Sequence, residues 1–211
     1  MKRVLLLLLL LPLVALGDVR VRPVSWAQPV IGIELDNFYK LSEEVYRSKQ
    51  PDDETMAALE GMGIRSILNL REYHSDEDDA QGTHLKLYHV PVNAGDVDDA
   101  FVIKALRAIA SSEKPILIHC WHGSDRTGVV AAMYRMVFQR WPRKEAIDEF
   151  INGGYGYHKR FYPNIEDYLD TVDIDVIRSQ VEGKESTLNS IEEASNAESE
   201  GGASVAHGGT P

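Results

Sequence analysis

Cysteine is nearly missing from this chain: its 211 residues include one, Cys120. A lone thiol excludes an intramolecular disulfide and fits none of the paired spacings of structural zinc sites. Basic residues are also scarce, with 22 Lys and Arg against 33 Asp and Glu, for a net charge of −11. That sign repels nucleic acid and anionic lipid, so neither is an expected partner. Long apolar runs are absent apart from Val4 to Leu16, which contains Pro12 and is shorter than the ~20 residues of a spanning helix. No internal repeat is visible.

The apolar run follows Lys2 and Arg3 and ends at Ala15-Leu16-Gly17, the pattern of an export signal. Residues 1–17 are therefore expected to be a signal peptide cut before Asp18, with a cut after Ala27 as the alternative, and no stable membrane insertion afterwards. Losing Lys2 and Arg3 would take the net charge from −11 to −13. Residues 18–30 are punctuated by proline and are expected to be an irregular leader, loosely packed or mobile. Residues 31–182 form one domain, for which an apolar content of 44% supplies a core. Residues 183–211 are rich in Ser, Glu, Ala and Gly and are expected to be a disordered acidic tail. The expected state is a monomer.

Within the domain, strands alternate with helices. Val45 and Tyr46 begin a short strand, Asp52 caps a helix that ends near Met62, and Ile64 to Leu70 is an apolar, β-branched run of buried-strand length. Met56, Leu59 and Met62 share the helix's apolar face. Leu85 to Val92 alternates, and Asp98 and Asp99 open a helix that ends near Ser112. Pro115 to Cys120 is the next strand. Helices follow over Thr127 to Trp141, Arg143 to Ile151 and Asn164 to Val181. The pattern predicts a single α/β domain with a central, mainly parallel sheet flanked by helices. The acidic run Asp76-Glu77-Asp78-Asp79 lacks the ligand spacing of a calcium loop and reads as a solvated charge cluster.

The chemistry concentrates in His119-Cys120-Trp121-His122-Gly123-Ser124-Asp125-Arg126-Thr127-Gly128, between a buried strand and a helix N-terminus. Backbone N–H groups of a loop wrapping into a helix start converge on one concavity, and the helix dipole adds positive potential there. A phosphate fits that field, and the same field favours the thiolate, the nucleophilic form of Cys120. Arg126 returns over the loop with a planar fork that can hold two phosphoryl oxygens. Trp121 to Thr127 form the cradle: Gly123 allows the turn, and Thr127 can offer its hydroxyl to the Cys120 sulfur. His119 orients the cysteine loop. His122 shapes the pocket and has no visible partner set for a metal.

The sequence His-Cys, five residues, Arg-Thr-Gly resembles the signature of the cysteine-based protein tyrosine phosphatases, and the short domain points to their dual-specificity branch. Val45-Tyr46-Arg47-Ser48-Lys49-Gln50-Pro51 and Asn69-Leu70-Arg71 resemble segments of the atypical dual-specificity phosphatases. Gly153-Gly154-Tyr155-Gly156-Tyr157-His158 is similar to exported bacterial members, whose address would be the periplasm. The resemblance implies a dual-specificity phosphatase fold and hydrolysis of phosphotyrosine, with phosphoserine or phosphothreonine as further substrates. It also implies a phosphocysteine at Cys120, no metal and no cofactor. A general acid on an upstream loop is implied too. Asp96, beside Gly95, is the leading candidate; Asp98 and Asp99 already have a role at the helix start.

Three alternatives stay open: a sulfurtransferase, an inositol phosphate phosphatase, and a catalytically silent module that binds phosphoproteins. Asp125 beside the cradle disfavours highly phosphorylated inositols. Arg71 either faces the site or makes a surface ion pair, and Tyr155, Tyr157 and His158 either wall the cleft or pack the sheet edge. Because no second cysteine exists, Cys120 oxidised to the sulfenic acid has no intramolecular thiol to rescue it. Activity lost to peroxide should therefore return only on adding an external thiol; spontaneous recovery in a thiol-free buffer would contradict this.

Overall fold

The computed structural model describes residues 21–183. The expected signal peptide and tail lie almost wholly outside the described residues. Six strands form one sheet: β1 (Gln28–Pro29), β2 (Tyr39–Lys40), β3 (Val45–Ser48), β4 (Ser66–Asn69), β5 (Lys86–His89) and β6 (Ile116–His119). Their order is β1-β2-β3-β6-β4-β5. The pairs β3·β6, β6·β4 and β4·β5 are parallel, and β1·β2 and β2·β3 are antiparallel. The single, mainly parallel α/β sheet expected from sequence is present.

Helices cover both faces: α1 (Asp53–Met62), α2 (Asp99–Ser111), α3 (Asp125–Val137), α4 (Arg143–Asn152), α5 (Pro163–Thr171) and α6 over residues 174–183. Strand β6 is central and buried on both faces, which explains its unbroken apolar run. Successive side chains point to opposite faces. Ile116 and Ile118 enter the larger core with Leu68, Val102, Leu106 and Val129, and Leu117 enters the smaller one with Ile67, Met56 and Leu59. Each such aliphatic side chain contributes about 1.5–3 kcal/mol of burial.

The caps follow the sequence signals. The Asp52 carboxylate accepts from Thr55 N at 3.0 Å, and Gly63, at φ 104°, ends α1. Asp98 accepts from Phe101 N at 2.8 Å to start α2. Other expectations need correction. Met62, predicted on the buried face of α1, is 40% exposed. The long last helix is two, because Val172 is extended (ψ 137°) and Asp173 caps α6 by accepting from Asp175 N and Val176 N. Helix α3 begins at Asp125, before the predicted Thr127, and ends at Val137.

The leader is the largest correction: its described part is packed, not loose. Arg22 donates from Nε to Ala27 O, from Nη1 to Gly153 O and from Nη2 to Tyr155 Oη, each at 2.6 Å. Ala27 is fully buried, and its N–H donates to Glu149 Oε1 at 2.6 Å. The folded unit therefore begins well before Ile31, which is itself exposed.

Helix α3 is buried along almost its whole length, and α4 approaches it at Gly128. A Cβ on Gly128 would sit 2.4 Å from Phe150 Cε2. Gly128→Ala should lower stability by about 1–3 kcal/mol, read from the thermal midpoint, as the Phe150 ring is pushed off its packing. An unchanged midpoint would show that α4 yields freely.

Candidate active site

The parallel strands end in register: Ser48 and Asn69 both pair with His119, and Asn69 pairs with His89. Ligands in open α/β sheets gather beyond such carboxyl ends, and here β6 delivers Cys120 to that edge. Cys120 is 2% exposed at the base of the loop leading into α3. Gly123 has φ 71°, and a Cβ there would lie 2.3 Å from Ser48 O, so both turn and close approach demand glycine. Behind the loop lies Arg47, 2% exposed, donating from Nη2 to Gly123 O at 2.6 Å with its guanidinium 3.7 Å from the Tyr155 ring centroid. Burial lowers the Arg47 pKa, opposed by Tyr155, Glu149 and Cys120.

Arg126, in the first turn of α3, donates from Nη1 to Val92 O at 3.2 Å and Leu70 O at 3.5 Å. Those carbonyls hold the guanidinium at the loop's rim. A cleft of about 380 Å³ opens there, lined by Ala94, Trp121, His122, Asp125, Arg126, His158, Phe161 and Tyr162. Trp121 and Phe161 are exposed, at 57% and 74%. The volume and aromatic walls suit a small organic group carrying one anion. The structure thus gathers Trp121, His122, Asp125 and Arg126 of the predicted cradle around one opening, with Gly123, Ser124 and Thr127 buried beneath. The expected hydrogen bond from Thr127 to the Cys120 sulfur is not formed: Thr127 Oγ1 is buried with no partner among the described residues.

His119 does orient the loop, through a partner the sequence concealed. Its Nε2 lies 2.8 Å from Asp76 Oδ2, and its Nδ1 lies 3.3 Å from Cys120 O. Asp76, read from sequence as part of a solvated run, is 4% exposed. Its Oδ1 accepts from Gln50 Nε2 at 3.0 Å and from Asn69 Nδ2 at 2.9 Å. One carboxylate therefore links the segment after β3 to the last residues of β4 and β6. Nothing in the acidic run marks Asp76 apart from its neighbours; the cause is tertiary. His74 joins the cluster, its Nε2 3.0 Å from Asp79 Oδ2, and the ligand atoms of His74, Asp76 and Asp79 lie within 4.8 Å of one another. Those of Asp76 already accept hydrogen bonds.

Of the three candidate acids, Asp98 caps α2 and Asp99 accepts from Tyr168 Oη at 2.9 Å. Asp96 ends the 3₁₀ turn Ala94–Asp96, exposed, with no side-chain hydrogen bond among the described residues. Ala94 of that turn lines the cleft. Arg71 faces the site rather than a surface acid: its guanidinium stacks 4.2 Å from the Trp121 ring centroid and donates to Gln50 Oε1 at 3.2 Å. Burial, then the neighbouring Arg126, lowers its pKa. Tyr155 is packed beneath the loop, whereas His158 walls the cleft.

A family model described as the tyrosine phosphatase family matches residues 32–191. The chain belongs to that family. It is 35% identical over 149 residues to the dual specificity protein phosphatase TpbA of Pseudomonas aeruginosa, covering 69% of this chain and 66% of that one. The chain thus spans about two thirds of that relative's length. It is 30% identical over 143 residues to the inositol diphosphatase DSP5 of Arabidopsis thaliana, covering 63% of this chain and 69% of that one. Among solved structures, a cysteine-to-serine variant of P. aeruginosa TpbA in complex with phosphotyrosine superposes with a TM-score of 0.69 at 30% identity, covering 76% of this chain and 98% of that one. These likenesses agree with the dual-specificity-like fold and the cysteine-based site.

Asp76 yields a pH prediction. Burial pushes its carboxyl pKa up, but hydrogen bonds from His119 and Gln50 and the charges of His119 and His74 outweigh this and leave it lowered. A folded pKa below the unfolded value of ~3.9 stabilises the fold above that pH, and the gain is lost as pH falls through the folded value. Asp76→Asn should cost about 2 kcal/mol at pH 7 and flatten the acid limb of the thermal midpoint against pH. An unaltered acid limb would refute the assignment.

Proposed function

We propose that this protein is an exported protein phosphatase, cysteine-dependent and metal-independent, that hydrolyses phosphotyrosine and, as a dual-specificity enzyme, phosphoserine and phosphothreonine. The observation that carries the reading is Cys120 at the end of the central strand, with Arg126 in the next helical turn and an aromatic-walled cleft above them. Cys120 Sγ attacks phosphorus, the P–S bond forms as the ester P–O bond breaks, and Asp96 gives its proton to the leaving oxygen. Arg126 and the loop amides hold the phosphoryl oxygens as their charge shifts. Water then cleaves the P–S bond and releases orthophosphate. Export to the periplasm is supported by Lys2, Arg3 and the apolar run Val4 to Leu16.

The resemblance to an inositol diphosphatase favours a second reading, in which Arg71 beside Arg126 holds an additional phosphate. Against it, Arg126 is the only arginine or lysine that lines the cleft among the described residues. Purified protein should release phosphate from phosphotyrosyl peptides far faster than from inositol polyphosphates, with activity abolished in Cys120→Ser and untouched by chelators. Asp96→Asn should slow phenolic phosphates much more than esters with acidic leaving groups. Preference for inositol substrates would reverse the assignment, and an inactive native protein would leave a binding module.

A further inference from the structure

We infer that Arg71 binds the carboxylate of a residue next to the phosphotyrosine of the substrate, so that the enzyme selects phosphotyrosyl segments flanked by aspartate or glutamate. The inference rests on the phosphotyrosine reading above and names the peptide chemistry that goes with it.

Arg71 is fixed at the mouth of the site by its backbone, and its head is left with spare donors. Its N–H donates to Asn69 Oδ1 at 2.8 Å, and its carbonyl lies 2.7 Å from His89 Nε2. Leu70 O, in the peptide unit that leads into Arg71, accepts from Arg126 Nη1 at 3.5 Å. The side chain that would hold the phosphoryl group is thus docked beside the start of Arg71. The Arg71 guanidinium lies 4.2 Å from the ring centroid of Trp121, a wall of the cleft. Its Nη1 donates to Gln50 Oε1 at 3.2 Å, and Nε and Nη2 have no partner among the described residues.

Neither Arg71 nor Arg126 forms an ion pair among the described residues, although acids stand close by. Those acids are taken by other donors. Asp76 is held by His119, Gln50 and Asn69, Asp79 lies 3.0 Å from His74 Nε2, and Glu72 accepts from Asn93 Nδ2 at 3.1 Å. Asp125, which lines the cleft, is turned to His158: Oδ2 lies 2.8 Å from Nδ1, and Oδ1 accepts from the backbone N–H at 2.9 Å. Burial and the charge of Arg126 both disfavour the Arg71 cation, and an incoming anion relieves that cost.

The place of Arg71 selects which anion. Arg126 lines the cleft and Arg71 does not, so the phosphorylated group sits with Arg126 while Arg71 meets what projects past the Trp121 rim. Consecutive Cα atoms of a peptide are about 3.8 Å apart, so a residue flanking the phosphotyrosine crosses that rim. A carboxylate there matches the planar fork of a guanidinium. The chain as a whole, at net charge −11, repels acidic peptides, so a preference for them requires a local cation.

Steady-state kinetics of the full-length protein on matched phosphotyrosyl peptides, flanked by aspartate, alanine or lysine, test the assignment. The native protein should favour the aspartate peptide over the alanine peptide about tenfold in kcat/KM, through KM, with the advantage shrinking as salt is raised. Arg71→Ala should abolish that preference, and Arg71→Glu should turn it toward the lysine peptide. A purely structural role would instead weaken all the peptides together. Should the variants fail to fold, the native protein still decides, since equal kcat/KM on the aspartate and alanine peptides would overturn the inference. A preference that survives in Arg71→Ala would do the same. An inositol diphosphate turned over faster than any peptide, with its KM raised in Arg71→Ala, would assign Arg71 to a second phosphate instead. If no phosphotyrosyl peptide is turned over at all, the phosphotyrosine reading itself falls.

Discussion

Arg47 places a guanidinium inside the sheet, directly under the loop that carries Cys120, and much of the surrounding structure answers the cost of having it there. A buried cation is expensive unless its donors and its charge both find partners. Arg47 gives one donor to Gly123 O and lays its plane on the Tyr155 ring. Tyr155 Oη in turn donates to Glu149 Oε1 at 2.9 Å, and Glu149 receives both Nε and Nη2 of Arg135 at 2.8 and 3.1 Å. The catalytic loop is thus tied from below to α3, α4 and the turn after α4. Gly123 must come close enough for that bond, which is why a Cβ there would strike Ser48 O.

From the other side the loop is held by Asp76 through His119. The two anchors differ in kind: Arg47 grips the loop's turn and Asp76 grips its root. Together they fix the two ends of the segment whose amides must converge on a phosphoryl group. Preorganisation of that sort makes backbone dipoles effective, because no reorientation is needed when charge develops. Trp121 and His122, between the anchors, are left exposed at the rim, where a substrate would meet them.

What could be read from sequence was what is local. Cys120 and Arg126 lie in one short stretch, Asp52 and Asp98 each accept from the N–H three residues ahead, and the apolar runs of β4 and β6 mark strands buried on both faces. The residues that escaped act over distance: Arg47 meets Gly123 across 76 positions, Asp76 meets His119 across 43, and Arg22 meets Gly153 across 131. The misreadings have the same origin. Four consecutive acidic residues look equally solvated until the fold turns one inward, and a proline-punctuated leader looks loose until Arg22 finds a tyrosine. Asp125 seemed to set the sign of the cradle; its carboxylate is instead turned toward His158.

The packed leader bears on where an exported chain is cut. A mature protein starting at Asp18 retains Arg22, whose three hydrogen bonds close over Tyr155, the ring against which Arg47 lies. One starting at Gln28 loses Arg22, the buried Ala27 and the N–H that caps Glu149 Oε1. Glu149 would keep Arg135 and Tyr155, but Tyr155 Oη would lose its guanidinium donor and face solvent beside the Arg47 site. The shorter chain thus exposes the layer beneath the catalytic loop without touching a catalytic residue. Of the two expected cuts, only one after Gly17 would keep Arg22 and its bonds to Ala27, Gly153 and Tyr155 beneath the catalytic loop.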